Sequence, residues 1–188
     1  MAKLYYVMGA SGVGKDSLLQ FARCHQVESS NLVFAHRYIT RPASTKGENH
    51  VALSEAEFAL RSKHGCFALR WQSHGTSYGI GEEINSWLAA GLSVVVNGSR
   101  AYLDQAITAY PELIPILISA SEAQLRSRLE ARGREHGADL EQRLLRTSLL
   151  NIRMSHPRLV KIDNSGELAD AGRQLLQVLS GRADSLCG

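Results

Sequence analysis

Apolar residues in this chain fall into short unbroken runs separated by longer stretches of helical spacing. Leu4-Tyr5-Tyr6-Val7-Met8, Leu92-Ser93-Val94-Val95-Val96-Asn97, Pro115-Ile116-Leu117-Ile118-Ser119 and Leu159-Val160-Lys161-Ile162-Asp163 are the runs. Their length and β-branched content predict strands buried on both faces. Helices are predicted after the first run, over Glu82 to Ala90 before Gly91, over Arg100 to about Ala109, from Ser121 through Arg132, from Asp139 to about Met154, and over Glu167 to Leu179. Strands alternating with helices argue an α/β fold around a central parallel sheet.

The stretch from about residue 36 to 80 does not alternate in this way. Asn31 to Ile39 reads as a second strand, and Thr40 to His50, with Pro42 and Gly47, as a loop. Ser54-Glu55-Ala56-Glu57 is a capping box that opens a short helix from Glu55 to about His64. Phe67 to Trp71 is a strand turned at His74-Gly75, and Ser77 to Gly81 an extended loop. We read this stretch as a mixed insert within a single domain of residues 1–188, with a frayed tail from Gly181.

Between the first run and the first helix lies Gly9-Ala10-Ser11-Gly12-Val13-Gly14-Lys15-Asp16-Ser17. Strand, glycine-rich loop and helix, in that order, form a phosphate-binding loop. Its glycines let backbone N–H groups converge on a polyphosphate, and the helix N-terminus adds partial positive charge. Lys15 adds a full charge for the β and γ phosphates. The next residue is Asp16, where Ser or Thr usually holds Mg²⁺, and Ser17 follows. Asp16 can hold the metal directly or through water, or cap the helix. A carboxylate beside a triphosphate requires an intervening cation, so the loop predicts a complex of nucleotide and Mg²⁺.

Composition narrows the picture little. The 188 residues suit one well-buried domain, and 21% charged with 44% hydrophobic residues is ordinary for a globular protein. A net charge of +3 is too small to argue for nucleic acid. No apolar run approaches membrane-spanning length, and the first strand leaves no room for a signal peptide. Cys24, Cys66 and Cys187 are widely spaced and read as free thiols of a cytoplasmic protein. The seven histidines lack metal-ligand spacing. The expected partners are small molecules, with neither nucleic acid nor membrane.

Arginines cluster late in the chain: Arg126, Arg128, Arg132, Arg134, Arg143 and Arg146 fall within 21 residues. Arg128 and Arg132 share a helix face, and Gly133 follows. Spacing alone leaves two readings level: a solvated helix with Glu130 and Glu135 as partners, or a lid over about 128–143 whose arginines neutralise charge on a transferring phosphoryl group. Transfer to a phosphate acceptor favours the lid, because an anionic acceptor needs positioning and charge neutralisation more than a base. Arg37, Arg41, Asn49, His50 and Tyr78 lie in the insert and are candidate anion-binding groups.

On these residues the chain resembles the guanylate kinase-like branch of the P-loop kinases, over nearly the whole domain. The motifs are the Gly9–Ser17 loop, Arg41-Pro42, Tyr78-Gly79, and Arg128-Leu129-Glu130-Ala131-Arg132-Gly133 followed by Arg143-Leu144. The resemblance implies that Arg41 and Tyr78 hold the acceptor phosphate and that Arg128, Arg132 and Arg143 serve the lid. Three departures stand out. Ser44 replaces a second arginine, His50 a tyrosine, and Leu69 or Arg70 the glutamate that reads guanine. Neither Leu69 nor Arg70 can accept the base's N–H bonds.

Three segments are more similar to the ribose 1,5-bisphosphate phosphokinase family: His36 to Arg41, Glu48 to Ser54, and Val96-Asn97-Gly98-Ser99-Arg100. The Gly14-Lys15-Asp16-Ser17 variant is also typical of it. The resemblance implies ATP-dependent phosphorylation of ribose 1,5-bisphosphate to 5-phosphoribosyl 1-diphosphate, within bacterial phosphonate utilisation. An acceptor with two phosphates and no base agrees with the missing carboxylate. Arg37, Asn97, Ser99 and Arg100 join Arg41, His50 and Tyr78 as acceptor candidates. The rival readings are a nucleoside monophosphate kinase and a non-catalytic binding module of the same fold.

Overall fold

A computed structural model describes residues 1–27, 30–42, 49–131 and 154–181. Strand β1, Leu4–Gly9, is buried from Leu4 through Met8. It is the middle strand of a five-stranded parallel sheet. With β2 (Leu32–Phe34), β7 (Ser93–Asn97), β8 (Ile114–Ser119) and β9 (Val160–Asp163), the order is β2-β7-β1-β8-β9. Three of the unbroken apolar runs are the inner strands β1, β7 and β8, as expected of a sheet covered on both faces, whereas the fourth is the edge strand β9, in which only Ile162 is buried.

The chain forms two compact units. One comprises Met1–Tyr6 and Val27–Ile114. It contains β2, β7 and a second, four-stranded sheet ordered β4-β3-β6-β5, from β3 (Arg37–Ile39), β4 (His50–Ala52), β5 (Phe67–Ser73) and β6 (Thr76–Gly81). Its helices are α2 (Glu55–Lys63), α3 (Glu83–Ala89) and α4 (Leu103–Ala109), the last preceded by a 3₁₀ turn at Arg100–Tyr102. The capping box holds in part: the Ser54 hydroxyl accepts the Glu57 N–H at 3.1 Å, while the Glu57 carboxylate pairs with Arg61. Ile39, Leu69, Ile80, Ile84 and Val94 to Val96 form the core of this unit.

The other unit comprises Val7–Gln26 and Pro115–Gly188. Helix α1 (Lys15–His25) follows the glycine-rich loop, α5 (Glu122–Ala131) follows β8, and α6 (Leu168–Leu179) follows β9. Leu18, Ile116, Leu117, Ile118, Leu125, Leu129, Ile162 and Leu175 form its core.

Three expectations are corrected. Asn31 to Ile39 is not one strand but β2 and β3, in different sheets. The Ala35 N–H still bonds Val95 O at 2.9 Å, whereas the Arg37 N–H bonds Asn49 O at 3.1 Å, so the chain changes partners at His36. His50 is not in a loop but opens β4, which runs parallel to β3. Ser77 to Gly81 is not a loop but belongs to β6, the return strand of a hairpin with β5. Positive φ at both His74 (49°) and Gly75 (71°) gives the tight turn whose twist suits paired strands. The helix from Asp139, most of the lid with Arg132, Arg134, Arg143 and Arg146, the position Ser44, and the tail beyond Gly181 lie outside the described residues.

Candidate functional site

The glycine-rich motif begins at Gly9, the last residue of β1, with Ala10 and Val13 buried and Ser11 exposed. Gly14 is the N-cap of α1, at φ 85° and ψ 17°, a left-handed conformation that favours glycine. Gly12 is likewise left-handed, at φ 93°. Lys15 is the first helical residue, and Asp16 and Ser17 are exposed in the first turn. Of the alternatives open to Asp16, the cap position is therefore taken by Gly14. Asp16 also complements the helix dipole where it stands.

Arg128, on α5, reaches this loop. Its Nη1 donates to Val13 O at 3.2 Å and its Nη2 to Asn164 O at 2.9 Å. Asn164 follows β9 and is 1% exposed. Its Nδ2 donates to the same Val13 carbonyl at 2.7 Å. Arg126, in contrast, pairs with Glu122 on the outside of α5. The arginines near the start of the cluster thus divide between a loop contact and a solvated pair.

In the other unit, strand register gathers the acceptor candidates. Arg37 lies opposite His50, and Ile39 opposite Tyr78. Arg37 is 7% exposed, and its guanidinium carbon lies 5.8 Å from the centroid of the Tyr78 ring. Trp71 lies opposite Tyr78 on β5 and stacks on it at 5.5 Å with 5° between planes. Trp71 also stacks on Tyr102 at 5.7 Å. The His50 ring nitrogens are shielded from solvent. Arg41 is half-buried, just beyond a Thr40–Ser77 link in which the Thr40 N–H donates to Ser77 O and the Ser77 N–H to Thr40 Oγ1. Leu69 is 1% exposed in the core, and Arg70 turns outward to donate to the Ser62 hydroxyl. Neither position offers a carboxylate.

Asn97 ends β7 and is buried; Ser99 and Arg100 follow at the 3₁₀ turn. The Tyr6 hydroxyl grips this segment. It donates to Ser99 O and accepts the Ser99 N–H, each at 2.9 Å. Burial raises the Tyr6 pKa and lowers that of Arg100.

Sequence reasoning gave no role to Tyr6, Asn164, Trp71 or Tyr102. A signal existed for Asn164: a polar residue just past the carboxyl end of a buried parallel strand is where open α/β sheets bind ligands. Tyrosine inside an apolar run gave a weaker signal for Tyr6. The stacking of Trp71 depends on the β5–β6 register and had none.

Among the described residues no three His, Cys, Asp or Glu side chains cluster to hold a metal ion. No described helix is long and apolar enough to cross a membrane. Two left-handed glycines followed by a lysine at a helix N-terminus are features that suit a polyphosphate.

No protein-family model matches the chain. It is 57% identical over 175 residues to the ribose 1,5-bisphosphate phosphokinase PhnN of Desulfomicrobium baculatum, covering 93% of this chain and 92% of that one. It is 48% identical over 181 residues to the protein of the same name from Psychromonas ingrahamii, covering 96% and 91%. Among solved structures, guanylate kinase from Anaplasma phagocytophilum matches with a TM-score of 0.71 at 16% identity, over 98% of this chain and 87% of that one. That likeness shows a shared fold.

Proposed function

The chain belongs to the ribose 1,5-bisphosphate phosphokinase family, and we infer that it transfers the terminal phosphoryl group of ATP to the 1-phosphate of ribose 1,5-bisphosphate. The bond between the β–γ bridging oxygen and the γ phosphorus breaks, and an oxygen of the 1-phosphate bonds to that phosphorus. ADP and 5-phosphoribosyl 1-diphosphate leave. The observation that carries this reading is identity of 48–57% to named kinases of this activity across more than nine-tenths of the chain. The family resemblance places the reaction in phosphonate utilisation.

The loop amides from Gly9 to Gly14 and the Lys15 ammonium bind the donor's phosphates in this account. Asp16 and Ser17, exposed in the first turn of α1, are the side chains that would hold Mg²⁺. The ion supplies charge neutralisation between the donor's phosphates. Arg128, with Arg132 and Arg143, balances charge as the phosphoryl group moves. Arg41, His50 and Tyr78 take the acceptor's phosphates, supported by Arg37, Asn97, Ser99 and Arg100. The exposed thiols of Cys24 and Cys66 fit a reducing cytoplasm.

The missing base reader separates this acceptor from a nucleotide. Leu69 is sealed in the core, Arg70 faces Ser62, and the Tyr78 ring is stacked on Trp71. Steady-state assays with ATP and either acceptor test the reading. We expect kcat/KM for ribose 1,5-bisphosphate to exceed that for GMP by about 10²-fold or more, since a site without base contacts forfeits the discrimination they give. A value for GMP that equals or exceeds it replaces this reading with a nucleoside monophosphate kinase. Absence of any ATP turnover leaves a binding module.

A further inference from the structure

Asn164 carries an energetic oddity. It is 1% exposed, its Nδ2 donates to Val13 O, and its Oδ1 is buried with no hydrogen-bond partner among the described residues. A buried acceptor left unsatisfied is destabilising, and an apolar side chain of the same size would avoid that cost. The reverse orientation of the carboxamide is worse, because it would set Oδ1 against the Val13 carbonyl, acceptor to acceptor. What the side chain supplies is therefore the single N–H bond to Val13.

That bond belongs to a closed network. The Asn164 backbone N–H donates to Ser119 O at 2.8 Å, tying the residue to the end of β8. Its backbone carbonyl accepts from Arg128 Nη2, while Arg128 Nη1 joins Asn164 Nδ2 on the Val13 carbonyl. Two donors thus fix one carbonyl of the phosphate loop. The peptide joining Val13 to Gly14 is planar and trans, so its N–H points opposite to its C=O. Pinning Val13 O therefore aims the Gly14 N–H away from Asn164. Without the pin this peptide could rotate, because Gly14 tolerates many backbone conformations. A Cβ on Gly14 would lie 2.5 Å from Asn164 Nδ2, so the carboxamide also occupies the space beside the glycine.

We propose that Asn164 is a positioning residue for phosphoryl transfer, which with Arg128 pins the Val13 carbonyl so that the Gly14 N–H is presented to the donor's polyphosphate. This rests on reading Gly9–Ser17 as the polyphosphate cradle. The contact made is with phosphate, so the nucleoside part of the donor is irrelevant to it.

The test compares Mg-ATP with Mg-tripolyphosphate, which has the phosphates and no nucleoside, binding to the wild type, Asn164→Leu, Asn164→Ala and Lys15→Ala. We expect both ligands to weaken by about tenfold in Asn164→Leu, and by the same factor as each other. KM for ribose 1,5-bisphosphate stays within about twofold, a split that a general structural defect would not leave. Asn164→Ala gives the same pattern should the leucine variant fail to fold. Weakening of ATP with tripolyphosphate unchanged means that Asn164 acts on the nucleoside, and the proposal fails. Unchanged binding of both ligands overturns it equally. If tripolyphosphate does not bind the wild type, or binds Lys15→Ala as well as the wild type, the cradle reading itself falls.

Discussion

The Tyr6 hydroxyl holds both polar groups of Ser99, donating to its carbonyl and accepting its N–H, across 93 residues of sequence. A strand tyrosine thereby fixes the backbone that follows β7, in the Asn97–Arg100 segment. The approach is close enough to require glycine next door: a Cβ on Gly98 would lie 2.1 Å from the Tyr6 ring.

Tyr6→Phe should leave the ring packed and strip both bonds from Ser99. The Ser99 carbonyl keeps the Tyr102 N–H at 3.2 Å, but the Ser99 N–H loses its hydroxyl acceptor; a partly buried donor left unpaired costs about 1–3 kcal/mol, read as a lower thermal or urea midpoint. Ser99 and Arg100 are assigned to the acceptor, so KM for ribose 1,5-bisphosphate should rise while KM for ATP holds. Equal effects on both would remove the acceptor assignment of this segment. Gly98→Ala should be the more damaging change, because the ring must move.

The same tyrosine predicts alkaline sensitivity. Burial raises its folded pKa above the ordinary value, so folding favours the protonated phenol. Its stabilising contribution is complete below the unfolded pKa of about 10 and is lost as pH rises through the folded value. Stability should fall as pH climbs past about 10, and the fall should be shallower in Tyr6→Phe. A variant with the same alkaline profile as the wild type would show that Tyr6 contributes nothing to it. Tyr5, Tyr38 and Tyr110, also raised by burial, contribute to the slope that remains.

Lys15→Ala should keep the fold, with unchanged circular dichroism, and lose most turnover. Removing a charge that stabilises the transition state costs about 3–4 kcal/mol, a hundredfold or more in rate. Near-normal kcat in the variant would sink the phosphate-loop assignment.

Much of the fold was legible because its signals are local. The unbroken apolar runs gave β1, β7, β8 and β9, and Ser54 with Glu57 gave the start of α2. The misreadings share one cause, which is structure set by distant partners. β6 carries Gly79 and Gly81 and looks irregular, yet it pairs with β5 because the ring of Phe67 packs where Gly79 lacks a side chain. His36 has no breaker chemistry; the chain leaves one sheet there because β7 and β4 offer different partners. At the site, loop glycines and charged residues announced themselves by type. Tyr6, Asn164 and Trp71 act through neutral contacts that exist only once the strands are in register.

Trp71→Leu tests whether the aromatic stack supports the acceptor residues. It removes the face-to-face contacts with Tyr78 and Tyr102, each worth about 0.5–1.5 kcal/mol beyond area. We expect KM for ribose 1,5-bisphosphate to rise several-fold with KM for ATP unchanged. A rise in activity toward GMP beyond the wild type would show that the stack also excludes a base. No change in either acceptor constant would remove Tyr78 from the acceptor site.

Arg128 has two claims on it, and kinetics can separate them. As a charge facing the transferring group, it acts most strongly in the transition state, so Arg128→Ala should lower kcat more than it raises KM for ATP. As a two-pronged donor to Val13 O and Asn164 O, it steadies the loop before any reaction, and its loss should also raise KM. Arg128→Lys distinguishes the two parts. A lysine restores the charge but not the planar fork, which alone can reach both carbonyls at once. The lysine variant should therefore recover part of the lost kcat while KM for ATP stays high. If Arg128→Ala raises KM and leaves kcat intact, the residue is a loop clamp alone, and the charge balancing at transfer falls to the other lid arginines.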